Sequence, residues 1–307
     1  MTPDTIHITD VAPRDGLQNQ AVHLPTDQKL GLIGHLVRAG VTSVETTSFV
    51  SPKAVPQMAD ASDLTGHVQA RWPQLRNSVL VPNLKGLERA HAAGAQEIAV
   101  VLCATETMNR KNINMGLDAA LDVCEQTLAQ ARALGLRTRA YVAVAFDCPF
   151  EGETPLAVVL RLAARMAETH AGEIVIADTI GSAAPLQVKQ RLSALRDVVP
   201  LERLAVHLHD TRGLGAANAW AALEAGVRRF DSSVGGIGGC PFAPGAAGNL
   251  ATEDLVLMAQ RCGLASGISL DALLDAIDFA ETQLQKPLGG RSSAWLRRER
   301  AKRRETL

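Results

Sequence analysis

The feature of this sequence that most limits its fold is a regular alternation of short β-branched or apolar runs with longer helical patterns. Eight such apolar runs follow one another with no break in composition, and a helical pattern follows most of them. Strands that alternate with helices predict one parallel sheet, and eight units are the number that closes such a sheet into a (β/α)8 TIM barrel. An open, doubly wound sheet is the alternative for the same alternation.

The predicted strands are runs at residues 6–10, 41–47, 78–82, 97–102, 137–145, 173–177, 203–209 and 229–232. Helical periodicity predicts helices at residues 26–39, 84–93, 117–134, 155–169, 185–198 and 216–225. Gly40, Gly94 and Gly226 each stand between a helical pattern and the next strand. This position is typical of a glycine that ends a helix in the left-handed conformation.

Two further helical patterns follow the eighth strand, at residues 252–262 and 269–284, and we expect them to pack beside the barrel. The sequence therefore predicts a single domain over residues 1–307. Within it, the barrel occupies about residues 5–262 and an additional helical segment residues 263–290.

The chain ends in a basic tail at residues 291–307, in which residues 297–304 carry six Lys or Arg side chains. We expect this tail to be solvated and partly disordered. An electrostatic contact with ligand phosphates or with a neighbouring subunit is the alternative.

Charge and composition exclude several classes of function. A net charge of -1 provides no general attraction to nucleic acid or to a membrane surface. No apolar run approaches the roughly 20 residues that a membrane span needs, and residues 1–4 do not begin a targeting signal. The five cysteines are odd in number and lack CxxC pairs, which argues against a disulfide framework and a structural zinc site. We expect a cytoplasmic protein with no nucleic-acid or membrane partner.

Two histidines mark the most informative point of the chain. His207 and His209 are two residues apart at the end of the seventh predicted strand, so both side chains face the same side of the sheet. TIM barrels bind and react with ligands at this end of their strands. Asp15, after the first strand, and Asn249, after the eighth, complete a mixed nitrogen and oxygen set that suits Mg²⁺ or Mn²⁺. The structural alternatives are a packed histidine pair, a turn aspartate at Asp15 and a helix N-cap at Asn249.

Other polar residues are expected at the same end of the barrel. Glu45 lies near the end of the second strand and Asp178 ends the sixth, where either can also serve as an ion-pair partner. Cys240 lies in a glycine-rich loop after the eighth strand, which is typical of a mobile loop over a ligand. Among the five cysteines, Cys240 has the setting of a reactive thiol.

Six segments together resemble the 3-hydroxy-3-methylglutaryl-CoA lyase family, and the similarity extends in order from Ile6 to about Leu284. They are residues 12–19, 45–60, 111–114, 178–181, 207–211 and 238–254. The resemblance implies a metal-dependent barrel that cleaves a 3-hydroxy-3-methyl acyl-CoA by a retro-Claisen reaction, releasing acetyl-CoA and a keto acid, as in leucine degradation. It also implies a homodimer or larger homo-oligomer.

Carried over position by position, the resemblance assigns roles to single residues. The metal ligands are Asp15, His207, His209 and Asn249. Arg14 stabilises the enolate, Glu45 fixes the geometry around Arg14, and Cys240 delivers a proton to the acetyl-CoA carbanion. The general base is left open between Asp15 and a histidine such as His207. Candidate substrate contacts are Arg14, Gln18, Asp178, Tyr141 and Arg212, although a plain core role is the alternative for Tyr141.

Four positions depart from the family pattern, and they leave the acyl group undecided. Arg212 replaces an expected aromatic residue, and the others are Ala54, Gln20 and Asp147. The alternatives are therefore the same cleavage of citramalyl-CoA or of a longer branched thioester, and a condensing synthase of the isopropylmalate or homocitrate type. A non-catalytic binding protein is the remaining hypothesis.

Overall fold

A closed barrel of eight parallel strands forms the centre of the molecule in the computed structural model, which describes residues 4–239 and 248–305. Each strand pairs in parallel with the next in chain order, and the last pairs with the first. The strands are β1 (His7–Asp10), β2 (Ser43–Ser48), β3 (Arg76–Leu80), β4 (Glu97–Cys103), β5 (Arg137–Ala143), β6 (Glu173–Asp178), β7 (Leu204–Leu208) and β8 (Arg229–Ser232). The predicted TIM barrel is confirmed, and the open sheet is excluded.

Helices surround this barrel and continue beyond it. They are α1 (Thr26–Arg38), α2 (Ala61–Arg71), α3 (Leu84–Ala92), α4 (Glu106–Ile113), α5 (Leu117–Ala133), α6 (Leu156–Glu168), α7 (Pro185–Leu195), α8 (Gly215–Glu224), α9 (Thr252–Arg261), α10 (Leu270–Leu284) and α11 (Ser293–Glu305). A small antiparallel hairpin pairs Asp147–Cys148 with Gly152–Glu153. Apolar periodicity did not predict α2 and α4 because both carry few apolar residues.

The glycines predicted to end helices do so. Gly40, Gly94 and Gly226 have φ angles of 95°, 84° and 95°. At Gly40 a side chain is also excluded by space, because a Cβ atom there would lie 2.4 Å from the carbonyl oxygen of Gly267. These residues turn the chain from a helix into the following strand.

The inside of the barrel is unusually polar. One apolar layer packs Tyr141 against Ala99, Val175 and Ala205, where the two alanines leave room for the ring. Buried charged groups contact the Tyr141 hydroxyl, and some of them also contact residues of the site at the carboxyl ends of the strands. This interior therefore connects the barrel core to the candidate site.

A bulge in β2 helps to orient one of those charged groups. The pairing of β2 with β3 shifts by one residue between Glu45 and Thr47. The extra residue, Thr46, donates a 2.6 Å hydrogen bond to Asn77, while the neighbouring Glu45 is fully buried beside Arg14. Bulges of this kind re-aim side chains near functional sites.

The basic tail is folded, so the expectation of partial disorder was wrong over its described residues. Helix α11 lies against α10, and its arginines pair with acidic residues that recur at helical spacing along α10. Arg303 contacts Asp271 at 2.6 Å, and Arg300 contacts Asp275 at 2.6 Å. The acidic face of α10 therefore gives the tail a partner within the chain.

A search of the described residues for a membrane span found no helix with the required length and apolarity.

Candidate active site

Three predicted metal ligands meet at the carboxyl ends of the strands. His207 lies on β7, His209 follows the end of that strand, and Asp15 lies in the short helical turn Ala12–Gly16 after β1. One ligand atom from each of the three lies within 4.8 Å of the others. The Nε2 atoms of His207 and His209 are 3.1 Å apart.

The donors fit a hard divalent cation. Two ligands at right angles around an octahedral ion, each about 2.1 Å from it, are about 3 Å apart, which is the separation of the two Nε2 atoms. Asn249 donates a 2.9 Å hydrogen bond to Asp15, and its own carbonyl oxygen is buried with no hydrogen-bond partner among the described residues. Since Ala251, not Asn249, is the N-cap of α9, the N-cap interpretation of Asn249 was wrong. That unpartnered oxygen, on a residue in contact with Asp15, is the candidate fourth donor.

The electrostatics of the site also favour a cation. Burial, reinforced by His207, lowers the pKa of His209 to about 4, so this imidazole is neutral at neutral pH. Burial acts to raise the pKa of Asp15, but Arg14 and the two histidines outweigh it and hold that pKa below its usual value. The site therefore presents an ionised carboxylate beside a neutral imidazole, the states in which both groups bind metals.

Arg14 is fixed between two carboxylates. It donates a 2.7 Å hydrogen bond to Asp15 and a hydrogen bond from Nε to Glu45. Burial acts to lower the pKa of Arg14, but Glu45 and Asp15 outweigh it and raise this pKa above its usual value. Arg14 is therefore a permanent, oriented cation directly beside the candidate metal ligands.

A layer of buried polar groups supports these residues from below. The Tyr141 hydroxyl lies 2.7 Å from Glu45 and 2.6 Å from Asp231, and Arg139 contacts Asp231 at 2.6 Å. Asp231 also faces His207, with 3.2 Å between its Oδ2 and the ring Nδ1. Sequence reasoning named neither Asp231 nor Arg139 as a site residue. The feature of the sequence that could have identified them is a charged residue within a predicted barrel strand.

The remaining predicted residues have other contacts or lie outside the described residues. Asp178 accepts hydrogen bonds from the backbone N–H groups of Ser182 and Ala183, and burial raises the pKa of Asp178 to about 6. Arg212 is exposed and donates a 3.4 Å hydrogen bond to the carbonyl of Ile180, on the loop after β6. Gln18 is half-buried three residues beyond Asp15, and Cys240 lies outside the described residues.

Comparison with known proteins identifies the family. A family model described as HMGL-like matches residues 5–279. The chain belongs to the HMGL-like family. Hydroxymethylglutaryl-CoA lyase YngG of Bacillus subtilis is 41% identical over 290 residues, which are 94% of this chain and 97% of the relative. The mitochondrial hydroxymethylglutaryl-CoA lyase of Bos taurus is 46% identical over 277 residues, covering 90% of this chain and 85% of the relative.

Solved structures of HMG-CoA lyases share the barrel of this family member. The enzyme from Bacillus subtilis has a TM-score of 0.92 at 41% identity and covers 96% of this chain and 99% of its own. An HMG-CoA lyase from Acinetobacter baumannii, in complex with coenzyme A and 3-methylmalate, has a TM-score of 0.91 at 38% identity and covers 96% of each chain. The predicted family is confirmed.

Proposed function

We propose that this chain is a carbon–carbon lyase that cleaves 3-hydroxy-3-methylglutaryl-CoA to acetyl-CoA and acetoacetate with the aid of a divalent cation. The observation that carries the proposal is the convergence of Asp15, His207 and His209 beside the buried cation Arg14. A retro-Claisen cleavage requires a base for the alcohol, a Lewis acid for the oxygen and a cation for the enolate. The names of the relatives and the coenzyme A complex of the Acinetobacter enzyme support an acyl-CoA substrate.

The cation, which we propose to be Mg²⁺ or Mn²⁺, would be held by Asp15, His207, His209 and the Asn249 oxygen. When bound, it supplies Lewis acidity to the hydroxyl oxygen and the ketone oxygen that replaces it. The residues fit this role because their donors converge and the Asn249 oxygen has no other partner among the described residues.

Asp15 is the base that we propose for the tertiary hydroxyl. A neutral His207 has a single lone pair, which is at Nε2 and faces the ligand group because Nδ1 contacts Asp231. The carboxylate of Asp15 has further lone pairs besides those that accept from Arg14 and Asn249. Asp15 is ionised and partly exposed to the mouth of the barrel, with 15% of its side chain accessible. As Asp15 takes the hydroxyl proton, the bond between C2 and C3 breaks and C3 becomes the ketone carbon of acetoacetate. The electron pair of the broken bond stays with C2 and forms the enolate of acetyl-CoA.

Arg14 then stabilises the negative charge on the thioester oxygen, because a fixed cation in a buried site interacts strongly with developing charge. The enolate carbon takes a proton to give acetyl-CoA. The resemblance to the family makes the Cys240 thiol the proposed donor, and the proton on Asp15 returns to the thiolate through solvent.

The acyl group is tested by a direct comparison of substrates. We expect the purified protein with Mg²⁺ to convert 3-hydroxy-3-methylglutaryl-CoA into equal amounts of acetyl-CoA and acetoacetate, detected by mass spectrometry. Citramalyl-CoA, which would release pyruvate, is assayed in parallel. The variant Arg212→Phe is assayed with both substrates, because Arg212 replaces the expected aromatic residue. Cleavage of citramalyl-CoA alone would move the substrate assignment, and release of free CoA without acetyl-CoA would contradict the reaction type.

A further inference from the structure

Asp231 lies directly beneath the candidate metal ligands at the end of the buried polar layer. Its carboxylate is 1% exposed and has three partners: Arg139, the Tyr141 hydroxyl and the Nδ1 atom of His207. The Arg139 contact is made by one carboxylate oxygen, and the tyrosine and histidine contacts by the other. Arg139 and Tyr141 therefore hold the carboxylate in place independently of its contact with His207.

We infer that Asp231 is the positioning residue of the metal centre, which fixes the tautomer of His207 and aims its Nε2 atom at the cation. Because a carboxylate accepts hydrogen bonds, the contact with Asp231 places the single proton of a neutral His207 ring on Nδ1. The lone pair is then on Nε2, the atom that faces His209. Outer carboxylates of this type orient metal-binding histidines and strengthen their ligand atoms.

The two histidines differ in this support. The Nδ1 atom of His209 is buried with no hydrogen-bond partner among the described residues, whereas Nδ1 of His207 has Asp231. His207 is therefore the ligand whose orientation is fixed in advance. Asp231 acts through His207 and does not touch the substrate, so we distinguish it from the catalytic residues.

The chain offers a matched control for this inference. Arg139 pairs with both Asp231 and Glu173, the latter at 2.7 Å, and both carboxylates are buried. Asp231→Asn and Glu173→Gln each weaken the hold on Arg139, but Glu173 contacts the Nε and Nη2 atoms of Arg139 and has no contact with His207 among the described residues. Both variants should be less stable, and only Asp231→Asn should affect the metal.

The inference rests on the proposed metal site, so the test measures metal binding without substrate. Isothermal titration of the metal-free protein with Mn²⁺ should give an affinity about 10 to 100-fold weaker for Asp231→Asn and nearly unchanged for Glu173→Gln. Thermal unfolding of both variants separates this effect from loss of fold. Wild-type-like affinity in Asp231→Asn would overturn the positioning role alone, whereas a wild type that binds no Mn²⁺ would overturn the metal site and the inference with it.

A measurement on the unmutated chain keeps the inference testable if Asp231→Asn does not fold. With ¹⁵N-labelled histidine in metal-free protein, at a pH high enough for the His207 ring to be neutral, its ring shifts should be those of the tautomer protonated at Nδ1. The resonances of His207 are assigned as those that disappear from the spectrum of His207→Gln. A ring protonated at Nε2 would contradict the proposed contact.

Discussion

The hydroxyl of Tyr141 lies 2.7 Å from a carboxylate oxygen of Glu45, the residue that holds Arg14. A side chain in the middle of the barrel therefore supports the cation at its mouth. The family resemblance predicts that Tyr141 is a substrate contact, with a core role as the alternative. Because its hydroxyl is occupied by Glu45, Asp231 and Arg139, we now propose that Tyr141 positions Glu45.

Tyr141→Phe should lower both stability and turnover. The variant keeps the ring that packs on Ala99 and Ala205, but it removes the hydroxyl that contacts the buried Glu45 oxygen, at a cost of about 1–3 kcal/mol in the free energy of unfolding. We expect kcat to fall about tenfold, equivalent to about 1.4 kcal/mol of barrier, with little change in KM. Val175→Ala, which removes packing from the same layer and no polar contact, should lower stability while kcat stays the same. Unchanged kcat in Tyr141→Phe would contradict the role.

Arg14→Met should remove most turnover and leave Mn²⁺ binding nearly normal. Loss of one group that stabilises developing oxyanion charge typically costs about 10²–10³ in kcat, while the metal donors of Asp15, His207 and His209 remain. Arg14→Lys keeps the charge but cannot maintain both carboxylate contacts, so its activity should be intermediate. Steady-state kinetics and Mn²⁺ titration are the measurements. Turnover close to that of the wild type in Arg14→Met would rule out the enolate-stabilising role.

Asp10 should make the metal-free protein less stable as the pH rises. Burial raises the pKa of Asp10 to about 7, even though the carboxylate accepts hydrogen bonds from Ala12, Val234 and Thr252. The folded state thus holds a proton that the unfolded state releases near pH 4, and this stabilising contribution is lost between about pH 4 and pH 7. Other groups titrate in the same range, so the test is a difference between two proteins.

Urea unfolding of wild type and Asp10→Asn at pH 5 and pH 7 isolates this residue, because the asparagine does not titrate. The free energy of unfolding of the wild type should fall relative to that of the variant by a few kcal/mol at most from pH 5 to pH 7. Parallel pH dependences in the two proteins would show that Asp10 does not titrate there.

Reversing one charge should release α11 without unfolding the barrel. Arg300 is half-buried and pairs with Asp275 and Asp278 on α10, and ion pairs at a protein surface contribute about 0.2–1 kcal/mol each. In Arg300→Glu, hydrogen exchange over residues 293–305 should accelerate, whereas β5 should keep its protection. Arg298→Glu, an exposed position on the same helix, is the matched charge change and should have little effect. Equal exchange in both variants would refute the electrostatic docking of α11.

The sequence predicted the barrel well because each unit carries its own periodicity and its own glycine stop. Strand boundaries were less accurate: β3 begins at Arg76, two residues before the predicted strand. Its first residues are polar because Arg76 contacts Glu97 and Glu173, while Asn77, on the opposite face of the strand, accepts a hydrogen bond from Thr46. A strand that begins with polar residues lacks the apolar run from which a buried strand is predicted.

The same cause explains which site residues were missed. Asp15, His207, His209 and Asn249 lie at strand ends or in loops, where function is expected in a barrel, and the structure brings them together. Asp231 lies inside β8, and its partners Arg139, Tyr141 and His207 lie on other strands. The role of this charge therefore depends on which strands are neighbours, which the sequence alone does not show. Cys240 and the roles of Asp178, Gln18 and Arg212 remain predictions.

The most direct test of the proposed chemistry is removal and restoration of the metal in one assay. Acetyl-CoA release from 3-hydroxy-3-methylglutaryl-CoA should disappear after chelation, return with Mg²⁺ or Mn²⁺, and fail to return in His209→Ala, which lacks one of the converging donors. Undiminished cleavage by fully chelated protein, or full recovery in His209→Ala, would contradict a metal-dependent lyase centred on this site.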